Sequence, residues 1–211
     1  MPDQWGYTGS WYTFSMSTYY LVRHGLRVSR DEDTILSDMG IRQAELTGEY
    51  LQSKNIRHIF VSPVKRTLHT AEIINNYLQV PQSTDARLKE RMEYEPRYGS
   101  FEAFLGEWDK TMADRMYEPP YGDSAVHAGD RIISLFEELK DDKNYVCISH
   151  GGTIGDVVRN LFSETMYTLT TDSLKPLKWL NIPEASVTEI QKIGDTYTLK
   201  MVGNISHLTR K

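Results

Sequence analysis

The chain of 211 residues carries a formal net charge of −5 and is 39% hydrophobic and 25% charged, a composition typical of one globular domain with a substantial core. Nothing in this balance favours nucleic acid or an anionic membrane as a partner, and no apolar run approaches the roughly 20 residues that span a bilayer. The single cysteine, Cys147, excludes an intrachain disulfide and a metal–thiolate cluster, and it is consistent with a cytoplasmic location.

The first 17 residues are rich in aromatic residues, Gly and Ser, and they have neither a basic n-region nor an apolar h-region. They therefore do not resemble a secretory signal. Because chain termini are seldom tied down, we expect residues 1–17 to be a disordered leader, and an aromatic arm that packs on the domain is the alternative. Residues 18–211 are predicted to form a single domain.

The first half of that domain alternates strand-like and helix-like segments. The stretch "TYYLVR" predicts a buried strand, and "HIFVSP" predicts a second one that Pro63 closes. A helix is predicted after each of these strands. The first helix places on one face Ile41, Ala44, Gly48 and Leu51, and the second places on one stripe Val64, Leu68, Ala71 and Leu78.

Residues 91–124 differ from the rest of the chain in composition, because many aromatic side chains are mixed there with charged residues and with two adjacent prolines. Such a segment can be a subdomain with its own small aromatic cluster. It can equally be a cap over the ends of the strands, where α/β sheets bind ligands. The two interpretations are compatible, and we predict a cap insertion over residues 91–124.

The alternation resumes after this segment. The stretch "RIISLFEELK" predicts a helix, "YVCIS" a third buried strand and "TIGDVVRNLF" another helix, and "SVTEIQKI" and "YTLKMVG" predict two late strands. Strands that alternate with helices imply a mostly parallel sheet covered on both faces. The predicted fold class is therefore α/β, a three-layer α/β/α sandwich around a mostly parallel sheet, with the cap insertion over the C-terminal strand edge.

Cations collect where the predicted strands end. Arg23 and His24 close the first strand, Arg66 lies in the first turn of the helix after the second strand, and His150 closes the third, just before Gly151. The C-terminal ends of parallel strands meet at one edge of a sheet, beside helix N-termini whose N–H groups and dipoles favour anions. We therefore expect these side chains to converge on a bound phosphate.

Four motifs, "LVRHG", "SPVKRTLHTAE", "LKER" and "SHGGT", in this order, resemble the histidine phosphatase superfamily, the fold of phosphoglycerate mutases and their phosphatase relatives. The resemblance extends from Thr18 to about Gly203. It implies a phosphomonoester hydrolase that acts on a small phosphorylated metabolite, or a similar phosphomonoester, through a phosphohistidine intermediate. No metal or other cofactor is implied.

The resemblance also implies roles for individual residues. His24 would be the nucleophile, and a neutral imidazole with a reference pKa of about 6.5 suits this role at cellular pH. Arg23 and Arg66 would grip the non-bridging phosphoryl oxygens, and His150 would add a donor. Glu90 would protonate the leaving oxygen and then activate water. Because fixed cations would meet the phosphoryl charge, the chemistry requires no metal.

Two assignments stay open. The glycine that members of the family usually carry a few residues after the acid is Tyr94 here, and Glu93, among other nearby acids, is an alternative to Glu90 as proton donor. Many members read Arg-His-Gly-x-Thr-x-x-Asn, whereas this chain has Arg27 and Arg30 at the Thr and Asn positions. We expect Arg27 to be a phosphate ligand together with Gly151, and a solvated arginine is the alternative.

Two other functions remain as alternatives to hydrolysis. A phosphoglycerate mutase would transfer the phosphoryl group to a second oxygen of its substrate, but such enzymes resemble longer chains with richer caps. A non-catalytic phosphate-binding module would not need both histidines, both core arginines and a candidate acid. The expected partner is a phosphorylated small molecule rather than nucleic acid or a membrane, and the oligomeric state is not predicted.

Overall fold

The computed structural model describes residues 15–29, 33–140, 142–162 and 180–209. Its strands are β1 (Met16–Arg23), β2 (Ile56–Val61), β3 (Gln82–Thr84), β4 (Asn144–Ser149), β5 (Val187–Ile193) and β6 (Thr196–Asn204). Its α-helices are α1 (Asp38–Leu51), α2 (Lys65–Leu78), α3 (Phe101–Ala113), α4 (Ala125–Glu138) and α5 (Gly151–Leu161). Within the described residues, no helix is both long enough and apolar enough to cross a membrane.

The six strands form one sheet in the order β3-β2-β4-β1-β5-β6. The three pairings from β3 to β1 are parallel, and β5 and β6 add an antiparallel edge next to β1. The predicted mostly parallel sheet is confirmed in its central part. The two late strands are antiparallel because β5 joins β6 through a tight turn at Gly194 rather than through a helix.

Helices cover both faces of the sheet, because the apolar side chains of β1 point alternately to one face and to the other. Tyr19 and Leu21 point into a hydrophobic cluster shared with α4 and α5, whereas Tyr20 and Val22 point into a second cluster shared with α1 and α2. Cys147 lies fully buried in β4, and burial raises the pKa of its thiol. The three-layer α/β/α arrangement is therefore confirmed.

The buried face of α2 differs from the predicted stripe. Leu68 is 37% exposed, and polar residues take its place against the sheet. Thr67 donates its hydroxyl to the carbonyl of Ser62 at 2.6 Å, and Thr70 donates to the carbonyl of Arg66 at 2.7 Å. Because these hydroxyls are satisfied, the threonine face can be buried, and the prediction for Leu68 was wrong.

One boundary and two elements also differ from the predictions. Strand β1 begins at Met16, two residues before the predicted start of the domain at residue 18, and Ser17 is already fully buried. Residues 1–14 lie outside the described part of the chain. Strand β3 was not predicted, because its three residues are polar and exposed. The cap segment, residues 91–124, contains the unpredicted helix α3, which Ser100 caps by accepting from the amide of Ala103.

Candidate active site

The residues that the sequence assigned to the site line one cleft. The C-terminal ends of β1, β2 and β4 lie at the same edge of the sheet, where Arg23 is paired with Ser149 and Val61 with Ile148. A cleft of about 690 Å³ opens at this edge, between the strand ends and the cap segment. It is lined by every assigned residue, namely Arg23, His24, Arg27, Arg66, Glu90, His150 and Gly151.

His24 is held as a neutral imidazole with a fixed orientation. Its Nδ1 lies 2.8 Å from the carbonyl oxygen of Gly25, and because a carbonyl only accepts, Nδ1 carries the proton and Nε2 carries the lone pair. Burial, together with the neighbouring His150 and Arg66, lowers the pKa of His24 well below its ordinary value. The ring is 6% exposed and meets the ring of His150 edge-on at 5.4 Å.

The turn after β1 fixes this orientation through close backbone packing. A Cβ atom on Gly25 would come within 2.6 Å of the carbonyl oxygen of Gly40, near the start of α1. The amide of Gly25 also donates to the hydroxyl of Thr70 in α2 at 3.2 Å. Residue 25 therefore has to be glycine if the turn is to lie on α1 and bond to α2 in this way.

His150 has both ring nitrogens engaged. Its Nδ1 lies 3.0 Å from Nη2 of Arg66, which can only donate, so Nδ1 accepts and Nε2–H donates to the hydroxyl of Ser62 at 2.9 Å. Burial and the charges of nearby arginines, first Arg66, lower the pKa of His150 well below its ordinary value. In this arrangement His150 orients Arg66, and it has no N–H left to donate to a phosphoryl oxygen.

Both central arginines are paired with carboxylates. Arg66, which is 5% exposed, donates to Glu93 at 2.8 Å and lies 3.4 Å from Asp33. Arg23 donates to Glu184 at 2.7 Å and to the carbonyl of Ile182 at 2.6 Å. The positive charge at the strand ends is therefore balanced locally before any anion binds.

Glu90 lies at the N-terminus of α5. One carboxylate oxygen accepts from the amide and the hydroxyl of Thr153, each at 2.8 Å, and the other accepts from the amide of Gly152 at 3.0 Å. Burial opposes ionisation, but the charge of Arg91 and these hydrogen bonds outweigh it, so the pKa of Glu90 is lowered. The carboxylate form of Glu90 is favoured.

A buried ion pair lies behind Glu90. Arg91 and Asp156 are 1% exposed and approach within 3.4 Å of each other, and the guanidinium carbon of Arg91 lies 4.3 Å from the ring centre of Trp108. Burial raises the pKa of Asp156 to about 7, although Arg91 opposes this shift and Glu90 adds to it. The sequence analysis missed both members of this pair, because Asp156 lies inside an otherwise apolar helical stretch.

The two residues assigned only to substrate binding, Arg27 and Gly151, line the cleft as well. A Cβ atom at Gly151 would come within 3.3 Å of Nε of Arg23, so the glycine leaves room for that guanidinium. Arg27 pairs through its backbone with Leu36 and contributes to the lowered pKa of His150. Arg30 lies outside the described residues. Within the described ranges, no group of three or more His, Cys, Asp or Glu side chains is arranged to hold a metal ion.

One known family matches most of the chain. The model of the histidine phosphatase superfamily (branch 1) matches residues 19–205. The chain belongs to this superfamily. Its fold is accordingly that of the superfamily, and the sequence-based recognition is confirmed.

Two curated superfamily relatives are similar over most of their length. The chain is 30% identical over 208 residues to the probable phosphoglycerate mutase GpmB of Yersinia pestis (strain Pestoides F), covering 88% of this chain and 96% of that protein. It is 26% identical over 214 residues to the probable phosphoglycerate mutase GpmB of Proteus mirabilis (strain HI4320), covering 92% and 96%. Among solved structures, mycobacterial glucosyl-3-phosphoglycerate phosphatase with inorganic phosphate has a TM-score of 0.70 at 20% identity, covering 90% of this chain and 98% of that one, which shows a shared fold.

Other groups that contact the site residues of this superfamily member were not assigned from the sequence. Glu93 was considered only as a proton donor, whereas the structure pairs it with Arg66. Asp33 and Glu184 come from loops distant in sequence, and Ser62 was read only as the end of a strand. A signal for Ser62 did exist, because a hydroxyl at a strand end beside the predicted site is a natural partner for a buried histidine.

Proposed function

We propose that the chain is a phosphomonoester hydrolase that passes through a phosphohistidine at His24. The observation that carries this proposal is the state of His24 in the cleft. Its Nδ1–H is committed to the carbonyl of Gly25 and its pKa is lowered, so a lone pair is present on Nε2 at neutral pH. Arg23 and Arg66 lie in the same cleft and supply the positive charge that a phosphoryl group needs.

In the first step, Nε2 of His24 attacks phosphorus while the bond from phosphorus to the ester oxygen breaks. The electron pair of that bond goes to the leaving oxygen, which takes a proton from Glu90. The pKa of Glu90 is lowered in the ligand-free structure. A phosphate dianion placed beside it raises this pKa, since a like charge disfavours ionisation, and the acid form becomes accessible in the complex.

In the second step, the carboxylate of Glu90 accepts a proton from water as the water oxygen attacks phosphorus. The bond between phosphorus and Nε2 breaks, its electron pair returns to the imidazole, and phosphate leaves with Glu90 protonated for the next cycle. The hydrogen bonds from Gly152 and Thr153 hold Glu90 as the base that this step uses. In this scheme Arg23 and Arg66 exchange carboxylate partners for phosphoryl oxygens, and no metal takes part.

The test is rapid quenching with a phosphomonoester that carries ³²P. We expect an acid-labile, base-stable phosphoprotein and release of inorganic phosphate, and both should disappear in His24→Ala. His127→Ala is a matched control, because His127 is exposed and pairs with Glu118 outside the cleft. Full activity in His24→Ala, or complete inhibition by EDTA, would overturn the proposal.

A second candidate is phosphoryl transfer of the mutase type, which the name of the 30% identical relative favours. Both reactions share the phosphohistidine and differ in its acceptor, which is water in one case and a substrate hydroxyl in the other. Incubation with 3-phosphoglycerate separates them. Release of free phosphate supports the hydrolase, and formation of 2-phosphoglycerate without phosphate release supports the mutase.

A further inference from the structure

The wall of the cleft opposite the strand ends is apolar. Five side chains of α3 line the cleft at helical spacing, so one whole face of this helix is turned toward it. Within the described residues, none of them belongs to the hydrophobic clusters that surround the sheet. They are Phe101, Phe104, Leu105, Trp108 and Met112.

This wall is organised and partly open to solvent. Phe104 is 7% exposed and holds the aromatic rings together, with centroid distances of 5.7 Å to Tyr94 and 6.3 Å to Trp108. Phe101 and Leu105 remain 40% and 44% exposed. Adjacent apolar side chains that stay exposed beside a concave site are typical of a ligand-binding surface.

The apolar wall begins at the reacting groups. A Cβ atom at Gly152 would come within 2.6 Å of Oε1 of Glu90 and within 2.8 Å of Cη2 of Trp108. The Trp108 ring and the Glu90 carboxylate therefore pack against the same glycine at the start of α5. A group attached to the leaving oxygen, which Glu90 protonates in the proposed reaction, would extend directly along α3.

The charged residues of the cleft are less suited than the apolar wall to bind the rest of a substrate. Among the described residues that line the cleft, the five arginines are accompanied by six carboxyl groups, those of Asp33, Glu90, Glu93, Glu95, Asp156 and Glu184. The α3 residues of the wall add no charge. Once the phosphoryl group has taken Arg23 and Arg66, additional negative charge on a substrate would meet six carboxyl groups and only three further arginines among these lining residues, whereas an apolar body would meet Phe101, Leu105 and Trp108.

We propose that α3 forms a subsite for the alcohol portion of the substrate, and that the preferred substrates are phosphomonoesters of alcohols with an apolar, phenyl-sized body close to the ester oxygen. The inference rests on the proposed function in one respect, the position of the phosphoryl group at His24. It goes beyond that function by naming the substrate class. Burial of one phenyl ring against this wall should strengthen binding about ten- to a hundredfold.

Binding is measured by calorimetry with two phosphonates, which cannot be hydrolysed because a carbon atom replaces the ester oxygen. Propylphosphonate and 3-phenylpropylphosphonate carry the same charge and differ only in the ring. We expect the phenyl compound to bind at least tenfold more tightly to the wild-type protein. Equal affinities would overturn the subsite.

Variants of exposed wall residues then locate the effect. Leu105→Gln and Phe101→Gln should each reduce the affinity ratio of the two phosphonates about three- to tenfold, because they replace apolar contact surface with an amide. Met116→Gln is the matched control, since Met116 is 63% exposed and lies outside the cleft, and it should leave the ratio unchanged. A ratio that does not change in either wall variant, or changes equally in Met116→Gln, would contradict the assignment to α3.

Turnover separates this inference from the proposed function. Propyl phosphate and 3-phenylpropyl phosphate are both esters of primary alcohols, so their leaving groups need the same protonation. We expect kcat/KM to be at least tenfold higher for the phenyl ester. Equal turnover of the two esters would refute the subsite while the hydrolase stands. If neither ester is hydrolysed and no phosphoprotein forms, the hydrolase fails, and the phosphonate affinities still decide whether α3 binds an apolar body.

Discussion

We expect Glu93 to compete with phosphate for Arg66, so removal of its charge should strengthen phosphate binding. The contact between the two side chains is 2.8 Å, and the side chain of Arg66 is 6% exposed whereas that of Glu93 is 30% exposed. A charge-assisted hydrogen bond contributes about 1.5–3 kcal/mol net, and the solvent around Glu93 places this pair at the lower end. Glu93→Gln keeps the shape and removes the competing charge. An advantage of about 1.5 kcal/mol corresponds to roughly tenfold tighter binding of inorganic phosphate.

The assay is calorimetric titration with inorganic phosphate at one pH and one ionic strength. Glu102→Gln serves as the control, because Glu102 lies on the exposed side of α3 outside the cleft and its loss should leave the dissociation constant unchanged. If Glu93→Gln binds phosphate as weakly as the wild type, or more weakly, the competition does not exist. Glu93 would then serve to hold Arg66 in position.

Three further predictions concern the proposed catalytic cycle. Glu90→Gln should reduce kcat for alkyl phosphates about 10²–10⁴-fold and that for nitrophenyl phosphate far less, because nitrophenolate leaves without a proton; an equal loss on both substrates would move the acid role to another carboxyl. Arg27→Ala should lower kcat/KM about ten- to a hundredfold and weaken inhibition by phosphate, and Arg27→Lys should restore little of the lost kcat/KM. Unchanged kinetics in the alanine variant would mean that Arg27 is solvated. The pKa of His24 lies well below 6.5, and only the neutral ring can attack phosphorus. We therefore expect kcat/KM, corrected for substrate ionisation, to stay constant as the pH falls through 6.5 and to decline only at lower pH. A decline centred at or above pH 6.5 would contradict this expectation.

The sequence was sufficient to predict which residues meet at the strand ends. In a parallel sheet, geometry alone brings His24, Arg66 and His150 to one edge, so three short motifs locate the centre of the cleft. The orientation of the His24 ring could also be anticipated, since a histidine nucleophile needs one ring nitrogen that donates a hydrogen bond to an acceptor. The identity of that acceptor, the carbonyl of Gly25, depends on local turn geometry that no motif specifies.

Charge pairing in the cleft was not predictable, because it depends on contacts between distant loops. Asp33 reaches Arg66 from 33 residues away in sequence, and Glu184 reaches Arg23 from 161 residues away.

Helix α3 is a different case. Its apolar residues have helical spacing and follow an N-capping serine, Ser100, so the signal was present but was obscured by the mixture of aromatic and charged residues.

Helix α3 contributes the apolar wall, whereas the groups proposed for phosphoryl chemistry come from the end of β1, from α2, from Glu90 just before the cap segment, and from the start of α5. The cleft is thus assembled from segments that evolution can vary separately. Replacement of Phe101 or Leu105, the exposed residues of this face, changes neither the strand ends nor the turn at Gly25. A lineage of such proteins can therefore diverge toward new substrates through a single helix, and the same helix is where directed evolution of this chain should begin.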